Sequence, residues 1–308
     1  MKIDIVVVTY NRLEKLKHAL ECYDSQTELF RNLIVVNNSS TDNTAEFLDK
    51  WQNKPTAYHK VVINTKENLG GSGGFYVGQK YALDHNADWV FLADDDAYAD
   101  KDMIKNFYAF CSRHNVNQLS VIASEVLNMN GEIALNHRCR YNIYRYHYFS
   151  ISSSLVEDYM KEYFAFDIVS YVGPFINCQA LKKVGLVLPE YFIYFDDSEH
   201  SIRLAKYGKL VCVPSIKITH DGGVKNEHKD DNLIVSWRDY YLVRNKENML
   251  IRHFTFVGIY QYFRFLFFVY LPHPCNFLNK LNYRALNDAV FNKLGKNEKY
   301  SPGWSMKR

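Results

Sequence analysis

The feature that most constrains this chain is a strict alternation, over its first hundred residues, of short Val- and Ile-rich runs with longer stretches of helical periodicity. Apolar runs at 3–8, 33–36, 61–63 and 89–92 are separated by helix-like segments at 12–23, 44–51 and 74–83. Runs so short and so continuously apolar read as strands buried on both faces, and a helix between each pair predicts a parallel sheet flanked by helices. Sheets of this kind bind ligands beyond the carboxyl ends of their strands. The unusual residues cluster there: Thr9-Tyr10-Asn11-Arg12, the polar run 37–42, residues 64–74 and Asp94-Asp95-Asp96.

Beyond residue 100 the pattern loosens. A helix is expected at 102–113, then strands at 119–126 and 133–138 joined across Asn130-Gly131, a hairpin signal. Residues 139–170 carry no clear period. The pattern resumes with an apolar stretch at 171–178, a short helix to Val184, a strand at 186–195, a helix at 198–207 and a strand at 210–213. From about Asn232 the chain reads as helical. The expected division is an α/β catalytic domain at 1–231 and a helical region at 232–308.

Charge and cysteine usage exclude some classes. With 37 Lys+Arg against 34 Asp+Glu in 308 residues, the net charge of +3 is too small for a nucleic-acid coat, so no nucleic-acid partner is expected. The six cysteines lie far apart with no CxxC pair, which argues against a disulfide scaffold or structural zinc and fits a cytoplasmic location. The first apolar run is too short for a secretory signal. No Ser/His/Asp or Cys/His set has a local signature, so acyl transfer has little support.

Three constellations carry chemistry. Asp94-Asp95-Asp96 ends an apolar run, and adjacent carboxylates repel unless a cation neutralises them; a divalent ion with oxygen preference, Mn²⁺ or Mg²⁺, suits that role, and a solvated turn is the alternative. Asn68-Leu69-Gly70-Gly71-Ser72-Gly73-Gly74-Phe75 opens a helix with four glycines that let backbone approach an anionic ligand, or else form a flexible turn. It matches neither a dinucleotide-binding glycine motif nor a P-loop. Asp196-Asp197-Ser198-Glu199-His200 sits where an aromatic strand meets a helix, so its paired carboxylates suit either a general base or a helix cap. The imidazole of His220 is a candidate to complete a metal shell begun by the triple Asp; a lone histidine is as readily structural.

Taken in chain order, Val6 to Arg12, Val35 to Thr44, Asn68 to Phe75, Asp94 to Asp96, and Asp196 to Glu199 with Arg203 resemble the family 2 inverting glycosyltransferases of the GT-A fold, most closely the galactofuranosyltransferase branch. The resemblance implies a nucleotide-sugar-binding mixed sheet flanked by helices. By it, Thr9, Asn11, Arg12, Asn38, Asn68, Gly70, Gly71, Asp94 and Asp95 bind the donor nucleotide, and Asp94, Asp96 and His220 hold Mn²⁺ or Mg²⁺. Asp197 is implied as the base that deprotonates the acceptor, with Glu199 and Asp196 orienting acceptor or sugar. The implied donor is a UDP-sugar, foremost UDP-galactofuranose, and the acceptor a cell-surface or lipid-linked glycan. Many family members carry Asp where this chain has Asn37. Rhamnosyl or pyranosyl transfer, nucleotidyl transfer and a non-catalytic carbohydrate-binding role remain as alternatives.

Residues 254–271 are crowded with Phe and Tyr, carry Gln261 and Arg264 near the middle and end at Pro272 and Pro274. A charge at that depth is costly in hydrocarbon, so the segment is expected to lie on a membrane surface, on the cytoplasmic face, or to form a homo-oligomer contact rather than to span.

Overall fold

The computed structural model describes residues 1–145, 148–222 and 234–307. The expected alternation is present: β1 (Ile3–Thr9), α1 (Leu13–Asp24), β2 (Asn32–Asn37), α2 (Thr44–Gln52), β3 (His59–Asn64), α3 (Gly70–Asp84) and β4 (Trp89–Asp94). The first two strands and nearly all of the fourth are buried along their length, as their unbroken apolar runs require. The chain continues with β5 (Ala97–Ala99), α4 (Met103–Arg113), β6 (Leu119–Leu127), β7 (Arg138–Tyr144), β8 (Tyr148–Ser153), β9 (Phe164–Phe166), β10 (Ile168–Val169), β11 (Pro174–Asn177), α5 (Cys178–Val184), α6 (Asp196–Leu204) and β12 (Lys209–His220).

Nine strands form one sheet in the order β3-β2-β1-β4-β11-β6-β12-β5, with β9 added beside β12. It is mixed rather than wholly parallel: β1 to β4 run parallel, whereas β11 enters antiparallel between β4 and β6. The chain reverses its lateral direction at β1, which lies between β2 and β4, and such a switch point opens a crevice at the strand ends. The register Val8 with Asp94 and Thr9 with Asn37 sets three motif segments side by side at that edge. Pairing of β5 with β12, Ala97 opposite His220, brings the histidine next to the triple Asp.

Several expectations need correction. Residues 133–138 do not complete a hairpin with β6; the Asn130-Gly131 turn is followed by a single bridge, Leu127 to Ile133, and a 3₁₀ turn. The described residues of the stretch 139–170 include β7 to β10, whose pattern was hidden by aromatic residues on both faces. Residues 186–195 form no strand. A 3₁₀ turn at Pro189–Tyr191 leads into three non-glycine residues with left-handed backbone, Phe192, Tyr194 and Phe195, and that conformation cannot join a ladder.

The C-terminal part comprises β13 (Ile234–Ser236), α7 (Trp237–His253), α8 (Thr255–Phe265), a π turn at Leu266–Tyr270, α9 (Phe277–Val290) and β14 (Ser305–Lys307), with β13 and β14 paired antiparallel. The expected boundary at 231/232 lies outside the described residues. Among these, no helix is long and apolar enough to cross a membrane.

Candidate active site at the strand ends

A cavity of about 440 Å³ opens at the carboxyl edge of β1 and β4. Its floor is the set of residues picked out from the sequence as donor-binding: Thr9, Asn11, Arg12, Asn38, Asn68, Gly70, Gly71, Asp94 and Asp95 all line it. Its remaining wall comes from Phe192, Ile193, Trp237, Arg238 and Pro302, none of which the sequence reading named. Phe192 and Ile193 lie in the stretch read as a strand, 186–195, and Trp237, Arg238 and Pro302 in segments without a motif. Only the aromatic content near Tyr191 and Trp237 could have signalled them.

Hydrogen bonds shape the floor before any ligand arrives. Thr9 Oγ1 donates to Asp95 Oδ2 at 2.7 Å, and Arg12 reaches Asp95 at 3.3 Å and Asp96 at 2.7 Å. Asn38 is buried and serves the glycine segment: its Oδ1 accepts from Leu69 N at 2.9 Å and its Nδ2 donates to the Gly70 carbonyl at 2.9 Å. Asn37 is likewise spent on the protein, donating to Asn64 Oδ1 and accepting from Ser40 N.

The glycines divide into two uses. A Cβ on Gly71 would meet open space, so this residue borders the cavity as its backbone alone. A Cβ on Gly74 would fall 2.5 Å from Val8 Cγ1, so its role is to let α3 lie tight against β1. Gly70 has φ +73°, and a Cβ there would fall 2.0 Å from the Phe192 carbonyl oxygen. The notion that all four glycines bring backbone to a ligand therefore reduces to Gly70 and Gly71, the two that line the cavity.

The triple Asp is electrostatically uneven. Burial and the charges of Asp96, Asp95 and Asp196 push the Asp94 carboxyl well up. Burial raises Asp95 to about 6 against the pull of Thr9 and Arg12. Asp96 goes the other way: burial opposes its ionisation, but His220 and Arg12 outweigh it and hold the group below its ordinary value. Asp96 does not border the donor cavity. Its Oδ1 is buried without a hydrogen-bond partner, 3.4 Å from His220 Nε2.

That orphan oxygen, the neighbouring imidazole and Asp94 make a donor set suited to a hard divalent ion. As the side chains lie, no three acid, His or Cys groups among the described residues enclose an ion, and Arg12 and Lys15 supply the positive charge around Asp96. A second imidazole, missed in the sequence, packs edge-on to His220 with centroids 5.0 Å apart: His137, held neutral by burial and by Arg138, which depress it to about 3.

Asp197 lies at the start of α6 and borders a second, smaller cavity of about 220 Å³ lined by Ile151, Ile168, Tyr194, Phe195 and Leu242. Its Oδ1 accepts from Ser198 N at 2.6 Å and Ser198 Oγ at 3.0 Å, and among the described residues no side-chain donor reaches Oδ2. Burial raises both Asp196 and Asp197, and Asp196 rises further because of Asp197. Glu199 is placed differently. It is fully buried, bordering neither cavity, and its oxygens accept from Arg203 at 2.7 to 2.9 Å and pair with His253 at 2.9 Å. Burial opposes its charge, yet His253 and Arg203 hold it down to about 2. It ties α6 to the end of α7.

Comparison with known proteins fits this arrangement. Residues 4–167, more than half of the chain, match the family model described as Glycosyl transferase family 2. Galactofuranosyltransferase GlfT1 of Mycobacterium tuberculosis is 35% identical over 123 residues, which cover 39% of each protein. Poly(ribitol-phosphate) β-N-acetylglucosaminyltransferase TarS of Staphylococcus aureus is 30% identical over 125 residues, 39% of this chain and 21% of that one. The chain thus spans well under half the length of these relatives. Among solved structures, S. aureus TarS 1–349 with UDP aligns with a TM-score of 0.56 at 16% identity, covering 95% of this chain and 82% of that one. GalNAc-T7 with UDP, GalNAc and Mn²⁺ aligns at 0.61 and 12% identity, over 94% and 54%. The structural likenesses establish a GT-A fold, and the family match places the chain in glycosyl transferase family 2.

Proposed function

We propose that the protein is a divalent-metal-dependent inverting glycosyltransferase that moves a sugar, foremost galactofuranose, from its UDP donor to a hydroxyl of a cell-surface or lipid-linked glycan. The observation that carries this reading is the convergence of Thr9, Arg12, Asn38, Asn68, Gly70 and Asp94 on one cavity at the topological switch point. Galactofuranose as donor is supported by the likeness to GlfT1 and not by the glycine segment, because only two of its glycines face the cavity. TarS, named for N-acetylglucosaminyl transfer, supports a UDP-pyranose as the second reading.

The residues divide the work of a single displacement. Asp197 Oδ2 accepts the proton of the acceptor hydroxyl as that oxygen forms its bond to the anomeric carbon, while the bond from this carbon to the diphosphate breaks and UDP departs. One displacement inverts the centre. Ser198 fixes the other Asp197 oxygen and so orients the base. Arg238, exposed at the cavity wall and stacked on Trp237, is placed for the leaving diphosphate, and Asn38 keeps the glycine segment in position. Asp94, Asp96 and His220 would hold a divalent ion, which when bound would neutralise charge on that diphosphate.

The test is a panel of sugar nucleotides assayed for nucleoside diphosphate release with a glycolipid extract as acceptor, with EDTA and with Mn²⁺, followed by linkage analysis. UDP release with galactofuranose transfer in Mn²⁺ alone is expected. Transfer of a pyranose overturns the donor assignment, full activity in EDTA overturns the metal, and pyrophosphate release overturns the reaction.

A further inference from the structure

Helix α8 and the π turn after it are apolar on the side that faces away from the protein. Phe256 is 86% exposed and Phe268 77%, and Ile259, Phe263, Phe267 and Leu271 are each about half exposed. Phe256, Ile259, Phe263 and Phe267 recur at three- and four-residue spacing and so form one stripe. The opposite side is apolar too, with Val257 buried among Phe149, Met249 and Leu250. A helix with two apolar faces is a core element unless something covers the outer one.

The charge around this face selects the cover. Between Glu247 and Asp288 the forty intervening residues contain no Asp or Glu, and they carry Arg252, Arg264, Lys280 and Arg284. Arg284 is paired with Asp288 at 3.9 Å, and a two-fold contact with a second copy would set the other three cations, Arg252, Arg264 and Lys280, against one another. An anionic surface complements it. The α8 and π-turn segment, 255–270, is about 24 Å long at 1.5 Å per residue, short of the roughly 30 Å hydrocarbon core, and Pro272 follows.

We infer that α8 and the following turn dock the protein on an anionic phospholipid bilayer, Phe256, Phe263, Phe267 and Phe268 entering the acyl boundary while Arg252, Arg264, Lys280 and Arg284 meet the headgroups. The face also bears on the acceptor. Phe254, just before α8, packs on Tyr141 and Phe149 of β7 and β8, and Ile151 of β8 lines the cavity beside Asp197. The docked bilayer therefore lies on the side of Asp197, and the acceptor is a bilayer-resident glycolipid. This last step rests on the proposed transfer reaction, whereas docking itself does not.

Vesicle flotation of the full chain without donor or acceptor tests the docking. Binding to an equal mixture of phosphatidylglycerol and phosphatidylcholine is expected, weaker on phosphatidylcholine alone. Each exposed phenylalanine drawn from water contributes about tenfold, so Phe256→Ser with Phe268→Ser lowers partitioning by about a hundredfold, and Arg264→Gln by about fivefold on the anionic vesicles only. Unchanged circular dichroism and UDP binding of the variants show that the fold persists. No binding to the anionic vesicles, or binding indifferent to the double substitution, overturns the inference. A dimer in light scattering that the double substitution splits, with no vesicle binding, assigns the face to a second copy and equally overturns it. If docking holds but the transferred product is water-soluble, the reading of the acceptor fails and the docking stands.

Discussion

The two walls of the donor cavity are built by opposite means. The floor rests on β1, β2 and β4, fully paired strands with apolar residues on both faces, and its polar side chains are displayed from strand ends. The facing wall rests on a segment without regular structure, residues 192–195, gripped from behind by α7. Asn245 Nδ2 donates to the carbonyls of Tyr191, Ile193 and Tyr194 at 2.8 to 2.9 Å, and Arg244 reaches those of Glu190 and Tyr191 at 3.2 Å. A sheet holds residues by its own ladder, whereas this wall is held by side chains from a helix distant in sequence and by Ser72 N, which donates to the Phe192 carbonyl at 3.2 Å. The floor should therefore tolerate single changes in its polar residues better than the wall tolerates loss of its anchors.

The largest expected effect lies at Asp197, beside the second cavity, which Tyr194 and Phe195 of the wall segment also line. Asp197→Asn keeps the shape but removes the proton acceptor of the proposed transfer, so turnover should fall about a thousandfold while UDP binding by calorimetry is retained. Asp196→Asn is the control; a greater loss there than in Asp197→Asn would move the base by one residue. Because burial holds Asp197 above the ordinary carboxylate range, the acid limb of the kcat profile should lie above that range, activity being lost as pH falls through the raised value.

Asn245→Ala strikes the grip on the wall and takes this donor from the Ile193 and Tyr194 carbonyls, while that of Tyr191 keeps Arg244. A loss of about 2 to 3 kcal/mol in denaturant unfolding is expected, with weakened UDP binding. Gly70→Ala attacks the same junction from the floor, through a left-handed φ and a backbone overlap, and should cost a comparable amount, whereas Gly71→Ala, which meets open space, should leave stability unchanged. Equal stability of Asn245→Ala and wild type would break the comparison.

Arg238→Ala removes an exposed cation and should raise the donor KM severalfold without moving the thermal midpoint. The smallest effect is on the pH dependence of stability. Burial depresses His137 and His200 to about 3, below the 6.5 at which they protonate when unfolded. Their stabilising contribution is full above pH 6.5 and declines as pH falls toward 3; Glu199, held at about 2, adds a term present above its ordinary 4.5 and lost below it. His200→Gln should flatten unfolding free energy against pH between 6.5 and 4.

The same contrast explains what the sequence made legible. Continuously apolar runs in strict alternation with helices located β1 to β4, and the motifs at their ends named every floor residue. The wall escaped because nothing local encodes it: Phe192, Tyr194 and Phe195 look like strand residues and are kept from forming one by Asn245, some fifty positions away. Trp237 and Pro302 reach the cavity through long-range packing and the pairing of β13 with β14. Likewise, the motif at Glu199 was visible but its partner His253 was not, and that partner turns the residue inward.

The left-handed backbone of Phe192, Tyr194 and Phe195 bears on how this protein can be stabilised. Each such residue forgoes roughly 1 to 2 kcal/mol relative to a conformation that a side chain adopts freely. Selection for heat resistance would find that reserve readily, since Tyr194 is exposed and Gly or Asn there relieves the strain at once. Yet Tyr194 and Phe195 also border the cavity beside Asp197, so under the proposed transfer the easiest thermostable variants should be those that lose acceptor discrimination. A directed-evolution campaign scored on melting temperature alone would drift toward a hardier and less selective catalyst.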